Sequence, residues 1–147
     1  MITSLMILSA MEALRATTAM KQEVSTRTRA LAFAQELLSE AVSMAYEEPT
    51  GAVSFGVEAN DSGAGRTGYD DVDDYAGYSE SPPRDVAGNN YANAENWTRA
   101  VSVSWVNAAD PGTASGSETG YKRIEVIASF QGREILRLSA LRTREAP

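Results

Sequence analysis

The first 46 residues constrain this chain most, because they contain neither proline nor glycine. Ala, Leu, Met, Glu, Gln and Arg dominate the stretch, and all of them favour helical backbone. Pro49 is expected to end the helix near residue 46, since it cannot donate the next helical hydrogen bond and disfavours helical backbone at Glu48. A helix of this length spans about 70 Å, whereas a body of about 100 residues has a radius of gyration near 13 Å. Part of the helix is therefore predicted to project.

The N-terminal end of this helix is apolar on every side, and no charge precedes Glu12. A helix of this kind is buried in protein or in lipid. The uncharged run is shorter than the roughly 20 residues that cross a bilayer, and it lacks the basic region and cleavage site of a signal peptide. Two interpretations stay open: a helix that associates with other helices, or a membrane segment whose beginning is missing. Residues 1–20 are predicted to be the membrane or filament-core part, which makes contact through Ile2, Leu5, Met6, Leu8 and Met11.

The second half of the helix carries one apolar stripe at three- and four-residue spacings. Its members are Leu31, Ala34, Leu38, Ala41, Val42 and Ala45. A stripe with this period is typical of a helix that packs on a body through one face. Glu40 lies off the stripe and is expected to contribute little to stability.

The last third of the chain alternates between apolar and polar residues, as half-buried strands do. Strands are predicted near 98–107, 121–130 and 133–141, and Gln131-Gly132 is predicted to join the last two in a two-residue turn. Residues 110–120 are expected to form a flexible, exposed loop. The predicted fold class is α+β: a long N-terminal helix, residues 1–46, packed on the small antiparallel sheet of a body formed by residues 47–147. A long irregular loop connects the two.

Several function classes are disfavoured by composition. The chain has no histidine and no cysteine, which removes imidazole and thiolate catalysis and zinc sites built on those ligands. A net charge of −7 disfavours nucleic-acid binding, which depends on clustered Lys and Arg. The glycines at 63, 65 and 68 fit a G-x-G-x-x-G pattern, but they open no predicted helix and four aspartates follow them. We therefore expect neither an enzyme nor a nucleotide-binding or nucleic-acid-binding protein.

The loop at residues 58–96 concentrates negative charge in Asp70, Asp71, Asp73 and Asp74. Calcium takes 6–8 oxygen ligands, so these four carboxylates are candidate calcium ligands. The alternative is a solvated acidic surface, and the sequence leaves both open. Four tyrosines argue for an ordered loop, since each ring can dock on the body: Tyr69, Tyr75, Tyr78 and Tyr91.

The chain resembles a known superfamily. The loop string YDDVDDYAGYSESPP at residues 69–83 is similar to the acidic loop of minor pilins of the mannose-sensitive haemagglutinin type. The helix end AYEEP at 45–49, the segments NWTR at 96–99 and KRI at 122–124, and the order of helix, loop and meander resemble type IV pilins and type II secretion pseudopilins.

The resemblance fails at the N-terminus, where a prepilin has a glycine at its cleavage site and a glutamate at the fifth mature position. The first residues, MITSLMIL, look instead like the stretch that follows such a glutamate. A start codon assigned too late or a shortened chain is the expected explanation. No processing role is assigned to any residue.

The resemblance implies a structural subunit, and a minor one, of a type IV pilus or a type II secretion-like pseudopilus. Its implied partners are other pilin or pseudopilin subunits and, before assembly, the bacterial inner membrane. Its implied location is the inner membrane and periplasm, then an extracellular filament. The alternative is a non-enzymatic binding module that contacts a partner through the acidic, tyrosine-rich loop.

Overall fold

The computed structural model describes residues 2–49, 54–58 and 65–144, with helix side chains described from Met11 onward. Helix α1 spans Ile2–Ser43, and two short 3-10 turns follow at Gly65–Gly68 and Asp73–Tyr75. The strands are β1 Ser79–Glu80, β2 Trp97–Asn107, β3 Asp110–Ala114, β4 Tyr121–Phe130 and β5 Arg133–Thr143. The predicted α+β class, with one long helix on an antiparallel sheet, is confirmed.

The sheet runs in the order β1-β2-β4-β5, and β3 pairs with the far end of β2. Every pairing is antiparallel. The predicted turn at Gln131-Gly132 is confirmed: both residues have positive φ, 51° and 76°. Two successive positive φ values match the twist that a tight hairpin requires, and glycine adopts the second without strain.

Helix α1 packs on β4 and β5, but its buried face differs from the predicted stripe. Ala34 and Ala41 are buried as expected, whereas Leu31 is 40% exposed and Leu38, Val42 and Ala45 are only half-buried. The core face is instead rotated toward Ala30, Phe33, Ala34, Leu37 and Ala41. Apolar spacing on this helix fits two adjacent faces, and only the sheet decides which one is covered.

The helix ends three residues before the predicted end, because the backbone of Ala45 pairs with the acidic loop. The Ala45 N–H donates to the carbonyl of Asp70 (3.3 Å), and the Ala45 carbonyl accepts from the Val72 N–H (3.0 Å). A helical Ala45 would instead point these groups along the helix axis.

The expectation of a flexible loop at 110–120 was wrong in its first half. Residues 110–114 form strand β3, in which Ala114 pairs with Val106 and Asp110 with Asn107. The Arg123 side chain donates to the carbonyls of Pro111 (2.8 Å) and Gly112 (2.5 Å). The sequence pattern did not predict this strand, because all five of its residues are exposed. It therefore lacks the alternation of apolar and polar residues that indicates a strand.

Candidate functional site

Residues 11–25 of α1 form a solvent-exposed stem. Large apolar side chains lie on it without cover from the described chain: Met11, Leu14, Met20 and Val24 are 50–69% exposed. Ala30 is the first residue of the helix described as buried, and beside it the Arg29 guanidinium donates a hydrogen bond to the carbonyl of Ala92. The helix therefore divides near residue 29 into an exposed stem and a docked half.

Of the residues predicted to act in a membrane or filament core, Met11 lies on this stem and the other four precede it in the sequence. Ile2, Leu5, Met6 and Leu8 belong to α1, and their side chains lie outside the described residues. Met11 is half exposed. Within the described residues, no helical segment is both long enough and apolar enough to cross a bilayer.

Three of the four clustered aspartates of the acidic loop are buried. Asp71, Asp73 and Asp74 are each at most 3% exposed, so for these three the solvated-surface interpretation was wrong. Asp71 Oδ1 accepts the backbone N–H groups of Asp73 (2.7 Å) and Asp74 (3.2 Å). Asp74 Oδ2 accepts those of Asp70 (3.0 Å) and Asp71 (3.3 Å). The carboxylates thus hold the loop's own backbone in its turn.

Lys122 supplies a cation to this loop from strand β4. Its buried ammonium donates to Asp73 Oδ1 and to the carbonyl of Tyr46, and it lies 4.4 Å from the centre of the Tyr46 ring. Asp73 Oδ2 accepts the Gly56 N–H at 3.1 Å. One ion pair therefore joins the acidic loop, the residues after the helix and the sheet.

The structure brings the four predicted calcium ligands close together, but the carboxylates of Asp71, Asp73 and Asp74 accept hydrogen bonds from protein donors. Among the described residues no group of three or more acidic side chains is arranged to hold a metal ion. Asp71 Oδ2 is buried without a hydrogen-bond partner. Burial, with the neighbouring charge of Asp73, raises the pKa of Asp71 to about 7. Calcium binding stays a prediction, and the ammonium of Lys122 is the cation in contact with this cluster.

A second cluster, the buried charge network, consists of Glu40, Arg66, Glu80 and Arg99. Arg99 is fully buried, and its guanidinium binds Glu80 Oε1 through Nε (2.7 Å) and Nη2. It also donates to the carbonyls of Phe33 (3.1 Å) and Arg84 (2.5 Å). One strand residue thereby ties α1 to both ends of the segment 80–84.

Arg66 and Glu40 complete this network on the helix side. Arg66 Nε lies 3.3 Å from Glu40 Oε1, and Arg66 Nη1 lies 3.6 Å from Glu80 Oε1. The Tyr75 hydroxyl donates to Glu40 Oε1 and the Tyr78 hydroxyl to Glu80 Oε2, both at 2.8 Å. These contacts argue against the expectation that Glu40 contributes little to stability, because the loop docks on α1 at Glu40.

The tyrosines dock as predicted and remain neutral donors. Tyr75 is fully buried, and its burial and the hydrogen bond to Glu40 raise its pKa. Burial and the Glu80 hydrogen bond raise the pKa of Tyr78 to about 12. Hydroxyls in this state donate hydrogen bonds at neutral pH. The hydrogen bonds of Tyr75 and Tyr78 join the loop to helix α1 and to Glu80, and they are shielded from solvent.

The sequence patterns did not identify Arg99 and Lys122 as residues of these clusters, although their positions in the strands were a signal. Arg99 lies at the same alternation as Val101 and Val103, and Lys122 at that of Ile124. A charge on the apolar face of a strand is buried and needs a partner. The partners could not be identified from sequence, since they lie 15 to 76 residues away.

Comparisons of this chain with protein-family models, with curated proteins and with solved structures find no match.

Proposed function

We propose that this protein is a non-enzymatic structural subunit of a pilus-like filament, of the type IV pilus or type II secretion pseudopilus kind, that assembles through its N-terminal helix. The observation that carries the proposal is the division of α1. Its second half is packed on the sheet, whereas apolar side chains of its first half are exposed.

The energetic argument rests on those exposed side chains. Burying one Leu, Met or Val side chain contributes about 1.5–3 kcal/mol, and a soluble monomer gains nothing from exposing several of them on one helix. Packing against stems of other subunits would bury them together. The order of helix, loop and meander and the loop string at residues 69–83 add the resemblance to pilins.

The body suits such a subunit because it anchors the docked half of the helix with charges as well as apolar contacts. Glu40 and the carbonyl of Phe33, both on α1, bind Arg66 and Arg99 respectively. A force or torque applied to the stem would reach the sheet and the loop through these bonds.

The test compares the full chain with a shortened variant that begins at Gln22, which retains the docked half of α1. The full chain is expected to associate or to require detergent, and the shortened one to be monomeric in light scattering. Monomeric behaviour of both at the same concentration would contradict assembly through the stem.

A matched pair of substitutions separates the stem's apolar surface from its helical backbone. Val24→Asp removes an apolar side chain that is 59% exposed, and Ser25→Asp places the same residue type one position along, also in the exposed stem. Only Val24→Asp is expected to reduce association, and neither should change the melting temperature by more than a degree or two. Equal loss of association would point to charge rather than apolar contact.

The alternative function, a binding module that uses the acidic, tyrosine-rich loop, is weakened by burial. Four of the eight side chains that such a module would present are buried, namely Asp71, Asp73, Asp74 and Tyr75, and the other four are half-buried, namely Tyr69, Asp70, Tyr78 and Tyr91. We therefore do not propose it.

A further inference from the structure

The sulfur atoms of this chain are concentrated near its N-terminal end. The chain has five methionines and no cysteine, and four of the five methionines lie at positions 1, 6, 11 and 20. The fifth is Met44, just after the end of helix α1. Because no thiol competes for an oxidant, the methionine thioethers are the sulfur groups that a peroxide can oxidise.

The described methionines differ in their exposure to solvent. Met11 and Met20, on the stem, are 50% and 69% exposed. Met44 is half-buried and packs against the hydrophobic core. Susceptibility to oxidation follows exposure, so a small oxidant is expected to reach Met11 and Met20 before Met44.

Oxidation would change the chemical character of the stem surface. With hydrogen peroxide, the methionine sulfur forms a bond to one peroxide oxygen, the O–O bond breaks, and the other oxygen leaves as water after taking up the proton of the first. The sulfur is oxidised to a sulfoxide and the peroxide is reduced. A sulfoxide oxygen is polar, and burying it without a hydrogen-bond donor is unfavourable.

The stem surface beside Met20 is poor in available donors. Val24, four residues after Met20, lies on the same face of the helix, is 59% exposed and has an apolar side chain. The Thr17 hydroxyl, three residues before Met20, already donates to the carbonyl of Ala13 (2.8 Å). A second copy of the stem packed on this face would meet the sulfoxide with the same side chains.

We propose that Met11 and Met20 form a redox-sensitive switch on the stem. Hydrogen peroxide oxidises them in the free subunit, and the resulting sulfoxides prevent subunits from associating. Once subunits have associated, the same thioethers are covered and react slowly. This inference rests on the proposed function, because it requires that subunits meet through the stem.

The test treats the full chain with hydrogen peroxide at a concentration of protein too low for association. Mass spectrometry maps the sulfoxides, and light scattering measures association after the protein is concentrated. Met11 and Met20 are expected to be oxidised about tenfold faster than Met44. The oxidised chain is expected to associate only at a concentration about tenfold higher than the untreated chain. Enzymatic reduction of the sulfoxides should restore association.

Variants assign the effect to the two stem methionines. The double variant Met11→Leu and Met20→Leu keeps an apolar side chain of similar volume at both positions. It should associate as the parent does and should continue to do so after treatment with peroxide. Met44→Leu is the matched control, and its association should remain as sensitive to peroxide as that of the parent.

Failure of the switch is distinguishable from failure of the proposed function. An untreated full chain that stays monomeric would overturn both. An untreated chain that associates, and that associates equally well with sulfoxide confirmed at both stem positions, would overturn the switch alone. The switch would also be overturned by equal peroxide sensitivity of the double variant and the parent. Equal rates of Met20 oxidation in associated and dispersed protein would contradict the covering of the thioethers.

Discussion

The described ion pairs include a buried group around the loop and exposed pairs such as Glu23–Arg27 on the helix and Arg137–Glu134 on the sheet. Arg99 and Glu80 are bound with side chains 0% and 5% exposed, whereas Arg137 and Glu134 are 46% and 47% exposed. The same residue types occur in both groups. The buried pairs join parts far apart in the chain, and Arg137 and Glu134 are only three residues apart.

This difference indicates where charge contributes to the structure. An exposed pair typically stabilises a protein by about 0–1 kcal/mol, because water screens it and side-chain entropy opposes it. Removing one partner of a buried pair typically costs about 3–5 kcal/mol, since the other charge is left uncompensated. The loop is therefore expected to depend on its charges, and the sheet surface is not.

The largest effect is expected for Arg99→Met, which leaves Glu80 buried without its main cation. The free energy of unfolding should fall by about 3–5 kcal/mol, measured by urea denaturation. Arg137→Met is the matched exposed control and should change it by less than about 1 kcal/mol. Similar losses for the two variants would contradict the distinction between buried and exposed pairs.

Lys122→Met tests the second buried pair and is expected to cost about 3 kcal/mol, because Asp73 loses its cation. Adding Asp73→Asn removes the stranded charge and should restore part of the stability. A double-mutant cycle measures the coupling between the two residues. If the two losses simply add, the ion pair contributes nothing of its own.

Glu40→Ala is expected to cost about 1–3 kcal/mol, since the Tyr75 hydroxyl and Arg66 lose an acceptor. Its control is Glu23→Ala, which breaks an exposed pair with Arg27 on the same helix and should cost at most about 0.5 kcal/mol. Thermal unfolding of both variants compares a docked and an undocked position of α1. A smaller loss for Glu40→Ala than for Glu23→Ala would show that the network does not hold the loop.

The smallest effect concerns Asp71, a buried carboxyl whose pKa is raised to about 7 by burial and by the charge of Asp73. The folded state then retains a proton that the unfolded chain, with a carboxyl pKa near 4, releases. Stability should therefore fall as pH rises from about 4 through 7 and should be greater at pH 5 than at pH 8. With no histidine in the chain, no imidazole titrates in this window.

Asp71→Asn keeps an oxygen that accepts the N–H groups of Asp73 and Asp74 but cannot ionise. The variant should show little change in melting temperature between pH 5 and pH 8, where the parent loses stability. A parent whose melting temperature does not fall over this range would show that Asp71 is charged throughout.

Much of the architecture could be predicted because it depends on local patterns. The absence of Pro and Gly through residue 46 predicts the long helix. Alternation predicts strands near 98–107, 121–130 and 133–141, close to the observed β2, β4 and β5, and Gln131-Gly132 predicts the turn between the last two. Each signal arises from backbone preferences and side-chain periods within about ten residues.

Contacts between distant residues could not be predicted in the same way. Which face of α1 is buried depends on the sheet, since Leu37 and Leu38 are equally apolar in sequence and only Leu37 is fully buried.

The acidic loop depends on distant residues even more strongly. Four aspartates in five residues predict either solvent or a metal ion, because sequence places no counter-charge near them. Tertiary structure brings the Lys122 ammonium to Asp73 from 49 residues away and aims backbone N–H groups at Asp71 and Asp74. The sequence by itself determined the helix, the three long strands β2, β4 and β5, and the location of the negative charge. Tertiary structure decided that Asp71, Asp73 and Asp74 are buried, because the fold supplies the partners that a buried charge requires.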